Sequence, residues 1–177
     1  INYEIYYKKS NGEFSVILET NWDDSFYISN FNYASENKNE AYVVSNLNGD
    51  KTEVFLYDLE KNEVLEKLFS HEKYDVSGVS TSRNRNWELD YFSYEGEKYH
   101  IIPVSDYYKK LHARLKNEFP NHDFYVSDKT DDESQYLIYI TSDKLYGKYY
   151  AYDVEKDEVK LLFDLMPQLK EEDMAEM

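Results

Sequence analysis

Cysteine is absent from the 177-residue sequence, which excludes disulfides, zinc–thiolate sites and cysteine nucleophiles. Glycine is scarce: five scattered residues cannot build a phosphate-cradling loop. Proline occurs three times, and no apolar run approaches the roughly 18 residues that a membrane-spanning helix needs. The chain opens at Ile1 directly in strand-like sequence, Tyr3-Glu4-Ile5-Tyr6-Tyr7, with neither an initiator Met nor a signal-peptide pattern. That start predicts an excised segment whose natural beginning lies upstream. Basic side chains are the minority, 20 against 36 acidic ones, for a formal charge of −16. Such a surface repels phosphate backbones and anionic bilayers. Neither a nucleic-acid nor a membrane partner is expected, and the acidic excess reads as the solvated surface of a soluble protein, cytoplasmic or periplasmic.

Catalytic signatures are also missing. A nucleophile elbow needs Gly-x-Ser-x-Gly, so that the serine sits on a strained strand-to-helix turn. The nearest stretch, Gly78-Val79-Ser80-Thr81-Ser82, lacks the second glycine and lies in strand-like sequence. His71, His100, His112 and His122 form no His-x-x-x-His or His-Glu-x-x-His pair. The acidic run Asp128, Asp131, Asp132, Glu133 has neither the spacing nor the glycine of a calcium loop, and reads as an exposed turn. Glu171-Glu172 are adjacent acids in a charged tail, not a separated glycosidase pair. No catalytic, cofactor-binding or metal-ligating residue is assigned, and no cofactor is expected.

Aromatic residues are what the chain has in excess. They make up 18% of it, with 20 tyrosines, a composition that argues against disorder and suits half-buried sheet surfaces. Tyr149-Tyr150 and Tyr107-Tyr108 are candidates for stacking on sugars or contacting peptides. Alternation along a strand turns one residue of a pair inward, so core packing accounts for most tyrosines.

The sequence also repeats. Val54-Phe55-Leu56-Tyr57-Asp58-Leu59-Glu60-Lys61-Asn62-Glu63-Val64 returns as Tyr149-Tyr150-Ala151-Tyr152-Asp153-Val154-Glu155-Lys156-Asp157-Glu158-Val159, 95 residues later. Val104-Ser105-Asp106 lies halfway, which spaces three aspartates by 48 and 47 residues. Ile5-Tyr6-Tyr7 with Ser10-Asn11-Gly12-Glu13-Phe14 reads as a more diverged copy. A period near 47 fits a four-stranded propeller blade. Strands are predicted at 26–33, 41–46, 53–58 and 64–69, then at 76–82, 87–94 and 99–104, then at 123–127, 136–141, 148–153 and 159–165. Asn48-Gly49-Asp50 reads as a two-residue hairpin turn. Tyr107, Tyr108, Leu111, Leu115 and Phe119 recur at helical spacing, so a helix is expected over 106–119, with Asp106 as N-cap and Pro120 as stop.

The expected architecture is all-β: a partial β-propeller of about three four-stranded antiparallel blades plus an extra hairpin, with one short helix. Residues 1–166 form the propeller segment, with blades at about 1–20 (partial), 26–69, 76–119 and 122–165. Residues 167–177 form a linker. Blades bury their faces only against neighbours, so an incomplete ring forms an open arc, associates with another copy through exposed blade faces, or takes a cap.

Ser142-Asp143-Lys144-Leu145-Tyr146-Gly147-Lys148-Tyr149-Tyr150-Ala151-Tyr152-Asp153 follows Asp128–Glu133 and precedes Leu161-Leu162-Phe163-Asp164-Leu165-Met166-Pro167-Gln168-Leu169. With the preceding helix ending in Phe119-Pro120, this order resembles the C-terminal part of the propeller in the prolyl oligopeptidase family. The members meant are the acylaminoacyl-peptidase and dipeptidyl-peptidase-like serine peptidases, and the resemblance covers roughly residues 40–177. It implies a propeller that restricts access of peptide substrates and docks an α/β-hydrolase domain of the parent chain. The tail Glu171–Met177 is similar to the connection into that domain. The catalytic domain itself is absent from this sequence. The rival reading is a stand-alone propeller that binds proteins or glycans as a scaffold.

Overall fold

The computed structural model describes residues 3–47 and 49–175. Thirteen strands and one helix are present among them, with a single 3-10 turn at Glu171–Asp173. The strands form separate antiparallel sheets in chain order, with no barrel closing them. This is the propeller-like, all-β arrangement that the repeat implied. The chain divides between Tyr108 and Lys109 into two compact units.

The first unit contains three sheets. A hairpin pairs β1 (Tyr3–Lys8) with β2 (Phe14–Thr20). A four-stranded meander follows: β3 (Phe26–Phe31), β4 (Glu40–Ser45), β5 (Glu53–Asp58) and β6 (Glu63–Phe69). Then come three strands, β7 (Val76–Ser82), β8 (Glu88–Glu95) and β9 (Tyr99–Pro103). The third meander therefore has three strands, and helix α1 (Asp106–Glu118) follows where a fourth would lie in sequence. The second unit holds most of α1 and the meander β10 (Asp123–Lys129), β11 (Gln135–Thr141), β12 (Lys148–Asp153) and β13 (Glu158–Asp164).

Strand β4 explains how the sheets of the first unit pack. Five consecutive residues, Ala41 to Ser45, are buried, although successive side chains point to opposite faces. Both faces must therefore be covered. Ala41 and Val43 pack with Ile17, Tyr57 and Leu59, with Ile5, Tyr7 and Leu18 beside them. Val44 pairs with Val54 against Val76 and Phe92. One face of the four-stranded sheet thus meets the hairpin and the other meets β7–β9. Polar contacts tie the same junctions: Tyr7 Oη donates to Asn39 Oδ1 at 2.6 Å. On the other side Asn30 Nδ2 donates to the Val79 carbonyl at 3.1 Å, and Tyr27 Oη donates to the Ser77 carbonyl.

The third-strand turns are chemically the same in both four-stranded sheets. Tyr57 Oη donates to Asn62 Oδ1 at 2.7 Å, and Tyr152 Oη donates to Asp157 Oδ1 at 3.0 Å. Asn62 and Asp157 both have left-handed backbones, φ 58° and 52°, which Asn and Asp tolerate best among non-glycine residues. Asp58 Oδ1 accepts the N–H groups of Glu60 and Lys61 at 3.0 and 2.9 Å. Asp153 Oδ1 accepts that of Lys156 at 3.1 Å.

The middle copy is out of phase with the aspartate spacing. The N–H after each third strand bonds back to the residue just before the first one of the second strand that pairs with the third: Leu59 to Asn39 at 3.0 Å, Val104 to Asp90 at 2.7 Å, and Val154 to Ser134 at 2.9 Å. Pro103, not Asp106, is therefore the counterpart of Asp58 and Asp153. The cap of α1 also moves by one residue. Ser105 Oγ accepts the Tyr108 N–H at 3.0 Å, so Ser105 is the N-cap and Asp106 is the first helical residue.

The Asn48-Gly49-Asp50 turn is not a two-residue hairpin. The β4–β5 connection runs over residues 46–52, since Ser45 is the last residue paired to Glu53. Asn48 lies outside the described residues. The connection is long because its ends are tied elsewhere: Asn46 Oδ1 accepts the Ser25 N–H at 2.6 Å, and Thr52 N–H donates to Asp75 Oδ1 at 2.8 Å.

Candidate functional site

The residues with chemical potential are each held by local contacts. Ser80 sits in β7, half-buried, and its hydroxyl bonds the Tyr91 phenol. His71 Nδ1 accepts the N–H groups of Lys73 and Tyr74 at 3.1 and 3.2 Å. Its ring stacks on Tyr94, with centroids 4.3 Å apart, and His100 stacks 4.7 Å from the same tyrosine. His112 lies on α1 with its ring 5.2 Å from that of Phe124; burial and then the Lys116 charge hold its pKa below the ordinary histidine value. His122 Nε2 is 3.3 Å from Glu171 Oε2. Glu171 also faces Lys148 at 3.6 Å, while Glu172 faces Lys170 at 3.7 Å.

The acidic run is a self-satisfied turn between β10 and β11. Asp132 accepts the Thr130 hydroxyl at 2.6 Å and the Ser134 N–H at 3.0 Å. These bonds, the Thr130 hydroxyl foremost, hold the Asp132 carboxyl down at about 2. Glu133 turns inward to Lys129 at 2.5 Å. Among the described residues no cluster of three or more His, Asp or Glu is placed to hold a metal ion, and no helix is long and apolar enough to cross a membrane.

Three tyrosines and a phenylalanine form the most distinctive surface of the second unit. Tyr125, Tyr139, Tyr149 and Phe163 stand directly opposite one another on β10, β11, β12 and β13. Their ring centroids are 6.1, 5.0 and 5.0 Å apart in that order, within the range of favourable aromatic pairing. The row is half-buried and ends at Phe163, which is 51% exposed. Beside it, the small side chain of Ala151 leaves a cleft of about 270 Å³ floored by Leu137, Ala151 and Leu162 and rimmed by Lys129, Thr130 and Gln135. The opposite face of the sheet is closed: Ile138 and Ile140 are buried, and Tyr150 meets Phe119 of the α1 end at 5.0 Å.

The adjacent pair Tyr149-Tyr150 splits as strand alternation requires, one ring to each face. Tyr107 and Tyr108 behave differently because they lie on α1. The Arg85 guanidinium sits 3.9 Å over the Tyr107 ring, and Tyr108 is buried 4.6 Å from Tyr91. Burial, followed by the charge of Tyr91, pushes the Tyr108 phenol well above the ordinary tyrosine range. Tyr125, Tyr139 and Phe163 had no motif to mark them. The available signal was positional, since Tyr139 and Tyr149 occupy the repeat positions of Val44 and Val54.

The first unit carries a smaller aromatic group where two first-to-second-strand loops meet. Tyr33 and Trp87 lie 4.4 Å apart, with Phe31 6.0 Å from Tyr33. Asn86 and Trp87 both have left-handed backbones, φ 53° and 62°, an uncommon conformation for so bulky a side chain as tryptophan. No family model matches the chain, and no curated protein matches it.

Proposed function

We propose that this chain is a noncatalytic propeller segment of a prolyl-oligopeptidase-like serine peptidase, where it shapes substrate access and docks the α/β-hydrolase domain. The supporting observation is the recurrence of blade-sized antiparallel meanders in the sequence order that resembles that family. A second support is chemical. Ser80 faces the Tyr91 phenol rather than an imidazole, and burial raises that phenol above the ordinary tyrosine range, so it stays protonated and is a poor general base at neutral pH. In this reading the nucleophile belongs to the neighbouring hydrolase module, and peptides reach it past the propeller.

A stand-alone binding module is the second reading. The half-exposed Tyr125–Tyr139–Tyr149–Phe163 row favours it, because tyrosines offer rigid contact area at low entropic cost. Two measurements decide. A fluorophosphonate serine probe is expected to leave the 177-residue chain unlabelled, and stoichiometric labelling would overturn the assignment of the nucleophile elsewhere. Reading the parent frame past Met177 is expected to reveal a Gly-x-Ser-x-Gly elbow in an α/β module. A stop codon or another meander there would favour the binding module.

A further inference from the structure

Strands β3 and β7 lie side by side in the first unit, where the Val79 N–H donates to Ser29 Oγ at 3.2 Å and the Val79 carbonyl accepts from Asn30 Nδ2. The connections that leave their ends therefore meet, and Phe31, Tyr33 and Trp87 gather there. Tyr33 is 49% exposed and Phe31 37%, while Trp87 is half-buried. An unfavourable turn holds Trp87 in place. The Glu88 N–H donates to the Arg85 carbonyl at 3.2 Å, and the two residues between them, Asn86 and Trp87, both have positive φ. That is the pattern of a type I′ turn, whose second central position favours glycine. Here the largest side chain of all occupies it. Strained backbone of this kind clusters at ligand-contacting sites, where the side chain it presents is needed.

The polar groups around these rings are uncommitted. Among the described residues the Tyr33 hydroxyl, the Trp87 indole N–H and the Asn86 amide have no hydrogen-bond partner. The charges nearby are mixed and mostly engaged. Lys38 Nζ donates to the Ser35 carbonyl at 2.7 Å, and Arg85 bonds Glu88 at 3.0 Å and the buried Asp90. Glu40 accepts from Asn32 at 3.0 Å. Glu36 and Arg83, one of each sign, are exposed. On a chain with a charge of −16, this patch is close to neutral.

We propose that Phe31, Tyr33 and Trp87 form a platform that binds an uncharged oligosaccharide. A sugar ring has an apolar C–H face that can lie on an aromatic ring, and a rim of hydroxyls that both donate and accept. Exposed rings fringed by a hydroxyl, an indole N–H and an amide complement both features. An anionic glycan gains nothing from a patch without net positive charge. The site rests on neither reading of the parent protein, since its readout is sugar binding rather than serine labelling or the sequence past Met177.

The test is an NMR titration of the full chain with neutral hexasaccharides of glucose, mannose, galactose, xylose and N-acetylglucosamine. Sugar is added to about 10 mM, so that millimolar contacts register. At least one sugar is expected to shift the Trp87 indole resonance. Trp22, 81% exposed at the other end of β3, is the internal control and should not move. Tyr33→Ala, at an exposed site, and Trp87→Gly, which suits the turn, should each weaken binding about tenfold, the scale of one stacked ring, while retaining the circular dichroism of the parent. Trp22→Ala should bind as the parent does. No shift with any of the sugars, equal shifts of both indoles, or undiminished binding by either ring variant overturns the proposal. A Trp87 shift with an uncharged proline-rich peptide and with no sugar also overturns it, and assigns the rings to a protein partner.

Discussion

Asp132 shows how a fully exposed carboxyl can be held acidic by neutral partners. Its pKa of about 2 comes from the Thr130 hydroxyl first, then the Ser134 N–H and hydroxyl. A carboxyl lowered in the folded state contributes stability that is complete above its unfolded value, near 4, and lost as pH falls through the folded one. Between about pH 4 and pH 2 this turn therefore loses stability on acidification. Carbon-detected NMR titration should give an Asp132 midpoint near 2, and Thr130→Val should move it upward. An unchanged midpoint in that variant would show that the hydroxyl is not the cause. Gly147 tests close approach instead of charge. A Cβ there would lie 2.7 Å from Cζ of Tyr139, whose hydroxyl is anchored to the Tyr146 carbonyl at 2.9 Å. Gly147→Ala should cost about 1 to 3 kcal/mol, as overpacking does. Gly49→Ala, which meets nothing within 4 Å, serves as the unaffected control in thermal melts.

Helix α1 depends on Ser105 at its start. Ser105 Oγ accepts the Tyr108 N–H and donates to the buried Asp90 carboxylate at 2.7 Å. Ser105→Ala should destabilise the protein by about 1 kcal/mol and speed hydrogen exchange of the first-turn amides, Tyr108 above all. Equal exchange in both proteins would remove the cap from the account. The sequence made this helix visible through Leu111, Leu115 and Phe119 but placed the cap one residue late, because Ser105 and Asp106 are both strong capping residues. Strands β5, β7 and β12 were legible to the residue, since turn chemistry bounds them on both sides. The serine bulges were not. Ser29, Ser77 and Ser127 each interrupt the register of a first strand, adding local twist, and an extra residue in a strand leaves no compositional trace. The phase of the middle copy was misread for a related reason: Pro103 stands where the other copies have aspartate, and Asp106 offered a false match three residues on.

The charge of −16 spreads over both units and opposes compaction through self-repulsion. Raising ionic strength from about 0.01 M to 0.15 M shortens the screening length from roughly 30 Å to 8 Å. The urea midpoint should rise over that range; a fall would mean that attractive surface pairs outweigh the net charge. The sequence carried the all-β class and the repeated meanders because turn residues and tyrosines recur with the period. Which face of each sheet is covered was not legible, since adjacent positions such as Val43 and Val44 are chemically alike and differ only in the neighbour they meet. That division is also the claim on which the account rests. Methyl NOE spectra of the selectively labelled chain test it directly. Val43 methyls should contact Ile17, and Val44 methyls should contact Val76 and Phe92. Both valines reporting the same neighbours would contradict the stacking of sheets through alternate faces.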